Sequence, residues 1–509
     1  MSKQSTQKKV VVVGAGIGGL TAAALLVHRG YAVTVFDQAL VPGGCASTFK
    51  RHGFTFDVGA TQVAGLEPGG IHDRIFSELE IDLPEATPCD PACAVFLPGE
   101  TEPINVWRDP EQWKAERQRQ FPGSEPFWQL MNDLFRYSWA FQERDPVLPP
   151  RNLWDLWQLT KAVRPDTLLT LPHTFSTVGD ALRGYRLQHD RRLRTFLDLQ
   201  LKLYSQVNAE ETALLYAATA LGVSQEPHGL FHLQGSMQVL SDRLVESLQR
   251  DYPTGGTASQ RGTLFMRHTV EKIHTQSGQT TGVTVRNQKT GETWFESADQ
   301  IVANVTVQNL VELLGEIAPK GYQRRVDKLP LASGAFVIYL GVDQSAIPES
   351  CPPHLQFLYD YDGPIGENNS LFVSVSHPGD GRAPDGKATI VASSFVDPTL
   401  WSDDRSDYAA IKQKYTDEAI ERLSSFFNLS EDTIVYQEAA TPRTFEHYTA
   451  RAQGIVGGIG QRIPTFGPFG FANRTPIKHL WLVGDSTHPG EGTAGVSYSA
   501  LTVVRQIEA

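Results

Sequence analysis

The chain has 509 residues, 40% of them apolar and 20% charged; this is an ordinary balance for a folded protein, at a length that predicts two or more interleaved domains rather than one simple core. Its 45 basic and 57 acidic side chains leave a net charge of −12. That sign excludes nucleic acid as the natural partner and excludes a membrane contact driven by basic patches, so any contact with lipid has to be apolar.

Val10 to Val13 form a short apolar run suited to a strand buried on both faces. Gly14, Gly16 and Gly19 follow as G-x-G-x-x-G. From Leu20 the period changes, with Leu20, Ala24 and Val27 on one side of a helix that stops near Arg29-Gly30. Gly14 permits the sharp turn, Gly16 lets backbone approach a pyrophosphate, and Gly19 lets the helix pack on the strand. The helix N-terminus offers free N–H groups and a positive dipole end to phosphates. Tyr31 to Phe36 makes a second apolar run that ends in Asp37, 18 residues after Gly19, where an acid is expected to hold the adenosine ribose hydroxyls. Together these predict a dinucleotide site. Lys8-Lys9 before an apolar stretch resembles a signal peptide, but turn-spaced glycines and the second strand argue against one.

After Asp37, Gly43-Gly44 and the alternating stretch Gly53 to Thr61, with Gly59-Ala60-Thr61 at its end, suggest backbone lying close to a flat ligand. From about Pro103 to Leu221 aromatic and leucine residues recur at helical spacing. Most of Trp128, Phe135, Trp139, Phe196, Leu199, Leu203 and Tyr204 are expected to fill a helical core, the alternative being that some line an apolar tunnel or touch lipid. Leu153-Trp154 to Leu171, which includes Trp157, Leu168 and Leu169, is the candidate for an element that dips into a membrane. No apolar run, the glycine-broken first one aside, is long enough to span a bilayer.

The nucleotide-binding pattern returns near Gly229. Phe231 to Met237 precedes a helix through Leu240, Leu244 and Leu248. Arg267 to Ile273 and Gly282 to Val285 read as a hairpin-like pair, in which Val270 is expected to hold adenine through its main chain, and Asp299 to Asn304 reads as a buried strand. From about Pro330 to Gly460 the chain is β-rich, with strands at Ala335 to Val342, Ser370 to Ser376 and Thr389 to Phe395 and one helix between about Tyr408 and Phe426. A sheet with one shielded face, forming the floor of a substrate cavity, is predicted there. Finally Leu480 to Val483 reads as a strand leading through Gly484-Asp485 into a helix in which Val496, Ala500 and Val503 share a face. Asp485 is placed to bond a ribityl hydroxyl or to reach the pyrophosphate through water. The predicted fold class is α/β: a Rossmann-type domain in three segments, 8–102, 226–325 and 471–509, interleaved with a helical segment, 103–225, and a β-rich segment, 326–470. The cysteines Cys45, Cys89, Cys93 and Cys351 lack the partners of a zinc site and read as free thiols in a reducing compartment, so no metal is expected.

Along nearly its whole length the chain resembles the flavoprotein carotenoid desaturase and isomerase family of the bacterial phytoene-desaturase type. The residues that carry this are Val13 to Gly19, Pro42 to Thr48, Phe56 to Thr61, Gly229 to Met237 and Gly484-Asp485-Ser486-Thr487-His488-Pro489-Gly490 with Gly495-Val496. Gly44 to Phe49 and Thr61 to Gly65 look most like the enzymes that introduce the C-3′,4′ double bond into monocyclic carotenoids on the route to myxol-type pigments. The resemblance implies non-covalent FAD, with the first glycines at the pyrophosphate, Asp37 at the ribose, and the Gly59 and Gly490 to Val496 regions against the isoalloxazine. It also implies a carotenoid desaturase that works by hydride transfer to flavin N5. Such an enzyme would sit peripherally (monotopic) on the cytoplasmic side of a membrane, touch the membrane surface by apolar contact, and use quinone or oxygen as electron acceptor.

Related flavin oxidases often carry Arg where this chain has Cys45, so pyrophosphate charge is expected to be met by backbone donors and helix dipoles. Catalysis of this kind rests on positioning and exclusion of water. No triad or carboxylate dyad stands out, His232, His377 and His447 are expected to be structural, and the sequence singles out no catalytic residue. Three alternatives use the same scaffold: a cis-trans isomerase working with reduced flavin, a ketolase, and a non-redox carrier of prenylated partners. Intact Gly14, Gly16 and Gly19 argue against the carrier.

Overall fold

Val10 to Val13 lie at the centre of a parallel sheet, their side chains alternating between its two faces and all buried. The computed structural model describes residues 7–253, 259–401 and 406–509. Across this sheet the strands run Thr263–Met266, Ala32–Asp37, Lys9–Val13, Gln300–Ala303, Leu480–Leu482, every neighbouring pair parallel. In chain order that is 3-2-1-4-5. The order reverses beside Lys9–Val13, and ligands of such open sheets bind in the crevice beyond the carboxyl ends at that switch point.

One face, carrying Val10, Val12, Val33 and Val35, packs on the helices Ile17–His28, Gln238–Gln249 and Thr493–Glu508. The other, carrying Val11, Val13 and Phe36, packs on a meander of the strands His268–Gln276, Gln279–Asn287 and Thr293–Ser297. The first helix is more enclosed than one apolar side would allow: every residue from Ile17 to Val27 is buried. A helix apolar all round belongs in the middle of a core, and Ala22, Ala23 and Ala24 let its neighbours come close. Thr21 and Ser497 place their hydroxyls 3.4 Å apart, so helices from opposite ends of the chain meet side by side.

The β-rich half is a seven-stranded sheet in the order Ile434–Ala440, Gly334–Asp343, Lys387–Val396, Ser370–Val375, His354–Leu358, Cys93–Phe96, Ile104–Val106. Two expectations change here. The last two strands come from the chain before residue 107, and Cys93–Phe96, which the sequence reading gave to the nucleotide-binding half, hydrogen-bonds in parallel to His354–Leu358. Nor is one face of the sheet left open. Phe336, Ile338, Leu340 and Val342 pack on Ala419 and Leu423 of the helix Tyr408–Leu423, while Ala335, Val337 and Tyr339 pack on Phe54, Phe56 and Phe445.

A buried ionic cluster fastens the halves together. Arg382 donates to Asp57 Oδ2 at 3.0 and 3.1 Å and to the Leu233 carbonyl at 2.8 Å, and Asp380 Oδ2 lies 2.9 Å from His232 Nε2. Removing one member would strand the others without partners, which typically costs about 3–5 kcal/mol. The helical segment has its own core of Trp113, Phe121, Phe127, Trp128, Phe196 and Leu199. Leu153, Trp157 and Phe175 lie outside it and are 84%, 61% and 71% exposed.

Candidate flavin site

A cavity of about 1320 Å³ opens at the carboxyl ends of the parallel strands. Gly14, Gly16, Asp37, Gly44, Gly59, Ala60, Thr61, Val270, Gly484, Asp485, Gly495 and Val496 all line it. Of the residues read from the sequence, Gly19 alone stands back from the wall. A Cβ there would collide with the Gly14 carbonyl oxygen, so Gly19 serves the packing of helix on strand.

The lining fits a dinucleotide. Gly14 sits at φ +96°, where a Cβ would lie 2.7 Å from the Asn304 carbonyl oxygen. Gly16 caps the helix Ile17–His28 without any side-chain cap hydrogen bond, which leaves the first-turn N–H groups facing the cavity and suited to phosphate oxygens. Asp37 Oδ2 accepts from Ala15 N at 2.6 Å and Oδ1 from Ala39 N at 2.7 Å. Burial pushes its pKa up, against those two bonds. Each carboxylate oxygen keeps a lone pair free for a ribose hydroxyl. Val270 meets the cavity just before an irregularity in strand pairing between Val270 and Lys272, where the main chain is freed from the ladder.

Among the polar side chains of the wall that escaped the sequence reading, Arg451 and Glu491 matter most. Arg451 follows the helix Pro442–Thr449 and donates to Asp485 Oδ2 at 2.7 Å, to the Ile455 carbonyl at 2.8 Å and to the Gly457 carbonyl. It is close enough to Cys45 to oppose the burial that raises that thiol's pKa. Thus a cation does reach the neighbourhood of Cys45, from more than 400 residues away in sequence. No local pattern in the sequence marks Arg451 as part of this wall.

The second is Glu491, within the Gly490 to Val496 turn. Its Oε2 accepts from Gln206 Nε2 at 2.9 Å and from Gly458 N at 3.3 Å, and burial raises its pKa to about 8. His232, His377 and His447 are not among the lining residues; the first two belong to the Arg382–Asp380 cluster.

Beyond the cradle the cavity is walled by Trp139, Leu148, Tyr204, Tyr216, Phe372 and Phe395. The seven-stranded sheet supplies Ala335, Val337, Ser393 and Phe395 as its floor. Leu159, Val163, Leu171 and Pro468 also line it, the first three from the stretch of chain that carries exposed Leu153, Trp157 and Phe175.

Residues 17–508 match the family described as flavin containing amine oxidoreductase. Prolycopene isomerase 1, chloroplastic, of an Oncidium hybrid cultivar is 27% identical, with 100% of this chain and 85% of that one covered. The zeta-carotene-forming phytoene desaturase of Myxococcus xanthus is also 27% identical, over 100% of this chain and 95% of its own. Among solved structures, cyclohexylamine oxidase from Brevibacterium oxydans shares the fold, with a TM-score of 0.63 at 15% identity over 99% of this chain and 100% of that one. With the glycine cradle, the acid at Asp37 and the strand order already in place, this chain belongs to the flavin-containing amine oxidoreductases and is an oxidoreductase whose cofactor is FAD.

Proposed function

We propose that this protein is a carotenoid desaturase that introduces the C-3′,4′ double bond into a monocyclic carotenoid on a route to myxol-type pigments. The observation that carries the reading is that one cavity is lined both by the glycine cradle at Gly16 and Gly484 and by the aromatic and apolar side chains Trp139, Tyr216, Phe372, Phe395, Leu159 and Leu171. Relatives named for phytoene desaturation and prolycopene isomerisation support a long polyene as the ligand of that cavity.

FAD, when bound, supplies the two-electron acceptor for hydride leaving an allylic C–H. The chain's own residues do the rest. Trp139, Tyr216, Phe372 and Phe395 hold a conjugated chain extended and exclude water, which suits a reaction governed by positioning. Burial keeps the phenols of Tyr204 and Tyr216 neutral, so they bring no charge to the cavity.

Among the described residues no helix is long and apolar enough to cross a membrane. Exposed Leu153, Leu156, Trp157, Leu168, Leu169 and Phe175 support peripheral docking on a membrane, for which the cytoplasmic leaflet is the proposed side. A quinone from that lipid, or oxygen, is the proposed final acceptor. Cis-trans isomerisation is a second reading, favoured by the prolycopene isomerases among the relatives.

Incubating the holoenzyme with acyclic and monocyclic carotenes in vesicles separates the readings. The desaturase yields a product short of one pair of hydrogens with longer conjugation. A cis-to-trans shift at unchanged mass identifies the isomerase, and a product with one more oxygen and two fewer hydrogens the ketolase. Colourless protein that takes up no flavin would sink all three in favour of a carrier.

A further inference from the structure

Glu491 and Gln206 form a pair whose bonding is incomplete in a particular way. Gln206 Nε2 donates to Glu491 Oε2, yet Glu491 Oε1 and Gln206 Oε1 are both buried and, among the described residues, without a partner. Both orphaned atoms are acceptors. A proton on Glu491 Oε1 supplies the donor that the two lack, as in the paired hydrogen bonds of a carboxylic acid and an amide.

The surroundings are built for this pair. Gly457 sits at φ +68°, and a Cβ there would collide with both Glu491 Oε2 and Gln206 Nε2. Gln206 is the left-handed residue, at φ +66°, that ends the helix Arg191–Ser205, so its backbone is fixed by that helix end. The Gln206 Nε2 hydrogen bond favours the ionised form of Glu491 most, with the Gly458 N–H, Arg451 and Lys202 on the same side, while Asp485 opposes it; Tyr216 also faces the pair and is neutral. Burial outweighs the favourable contacts and moves the carboxyl to about 8. A carboxylate so placed is a far stronger base than an ordinary one, and its titration falls near working pH, where general bases act best.

We propose that Glu491 is the proton acceptor of the desaturation and that Gln206 positions it. The inference rests on the desaturase reading above. One C–H of the substrate breaks with its electron pair leaving as hydride to FAD, the oxidant. The C–H on the adjacent carbon gives its proton to the carboxylate of Glu491, which lines the cavity, and its electron pair becomes the new C=C bond. The neutral acid formed is the form that Gln206 Oε1 stabilises.

The test is stopped-flow reduction of the bound flavin by carotene, together with infrared difference spectra of resting holoenzyme taken between about pH 6 and 10, spanning the pKa. The wild type is expected to speed up as pH rises through about 8 and to lose a protonated-carboxyl band over the same range. Glu491→Gln is expected to lack both signals and to reduce its flavin about 100-fold more slowly, a usual size for general base loss. Gln206→Leu should keep the band but shift its midpoint. If Glu491→Gln keeps the wild-type rate and pH profile while retaining flavin, the inference is overturned and the desaturase reading stands. If the wild type instead isomerises carotene at a rate that falls above about 8, the desaturase reading fails. A carboxyl band lost in Glu491→Gln would then still place a neutral acid at this position.

Discussion

Arg451 and Asp485 are joined at 2.7 Å across the cavity wall, one from the loop after Pro442–Thr449 and the other from the turn that ends the last parallel strand. Both side chains are largely shielded, at 18% and 13% exposure. The pair makes the flavin site a joint product of the β-rich half and the nucleotide-binding half. Arg451→Met leaves Asp485 without its cation in a desolvated wall. We expect a loss on the order of 3 kcal/mol in flavin binding, which is about 100-fold in Kd, read by titrating FAD into apoprotein. Cys45→Ala should bind FAD within about threefold of wild type, because burial keeps that thiol neutral and an uncharged small residue replaces it. A Cys45→Ala protein that loses flavin while Arg451→Met keeps it would reverse the assignment of charge.

The glycines of the first turn separate folding from binding. Gly19→Ala drives a Cβ against the Gly14 carbonyl, in rigid backbone, and is expected to lower stability by about 1–3 kcal/mol or more in apoprotein and holoprotein alike. Gly16→Ala meets the Asn304 side-chain amide at 2.8 Å, a group with some freedom to move. Its main effect should be on FAD affinity, because the new methyl stands where phosphate approaches. Urea unfolding of the two apoproteins, set beside their FAD titrations, checks this. Equal damage to both quantities in both variants would contradict the division of roles.

The parallel sheet and its glycine turns could be read from the sequence because their physics is local. Val10 to Val13 had to be covered on two faces, and Gly14 and Gly16 had to make room. The helix Gln238–Gln249 and the closing strand and helix announced themselves by period. Arg451, Glu491 and Gln206 carry no such signal: their meaning arises from residues 34 to 285 positions away, brought together by tertiary packing. The strands Cys93–Phe96 and Ile104–Val106 were misplaced for the same reason. Short apolar runs specify a strand, whereas the sheet they join is decided by partners such as His354–Leu358.

His72 makes stability depend on pH in a predictable direction. It is 1% exposed in the helix Ile71–Glu78, and burial lowers its pKa from 6.5 to about 4. Between those values the unfolded chain binds a proton that the folded chain refuses, so stability is complete above about 6.5 and falls as pH drops toward about 4. The full effect is about 3 kcal/mol. His72→Gln should flatten that part of the profile of urea midpoint against pH. An unchanged slope would mean that other groups control acid unfolding.

The exposed apolar residues of the helical segment give the last test. Leu153, Trp157 and Phe175 touch water over most of their surface in a chain of net charge −12, so attraction to anionic lipid cannot hold the protein to a membrane and apolar insertion has to. Burying one such side chain in the interface is worth about 1.5–3 kcal/mol. Leu153→Asp with Trp157→Asp should therefore weaken binding to uncharged phosphatidylcholine vesicles at least tenfold. The unfolding temperature should hardly move, because neither side chain packs in the folded core. Turnover of carotene delivered in vesicles should fall with binding, while carotene delivered in detergent micelles should still react, since the cavity walls at Trp139 and Phe395 are untouched. Equal vesicle binding by the double variant and the wild type would mean that this patch faces something other than lipid.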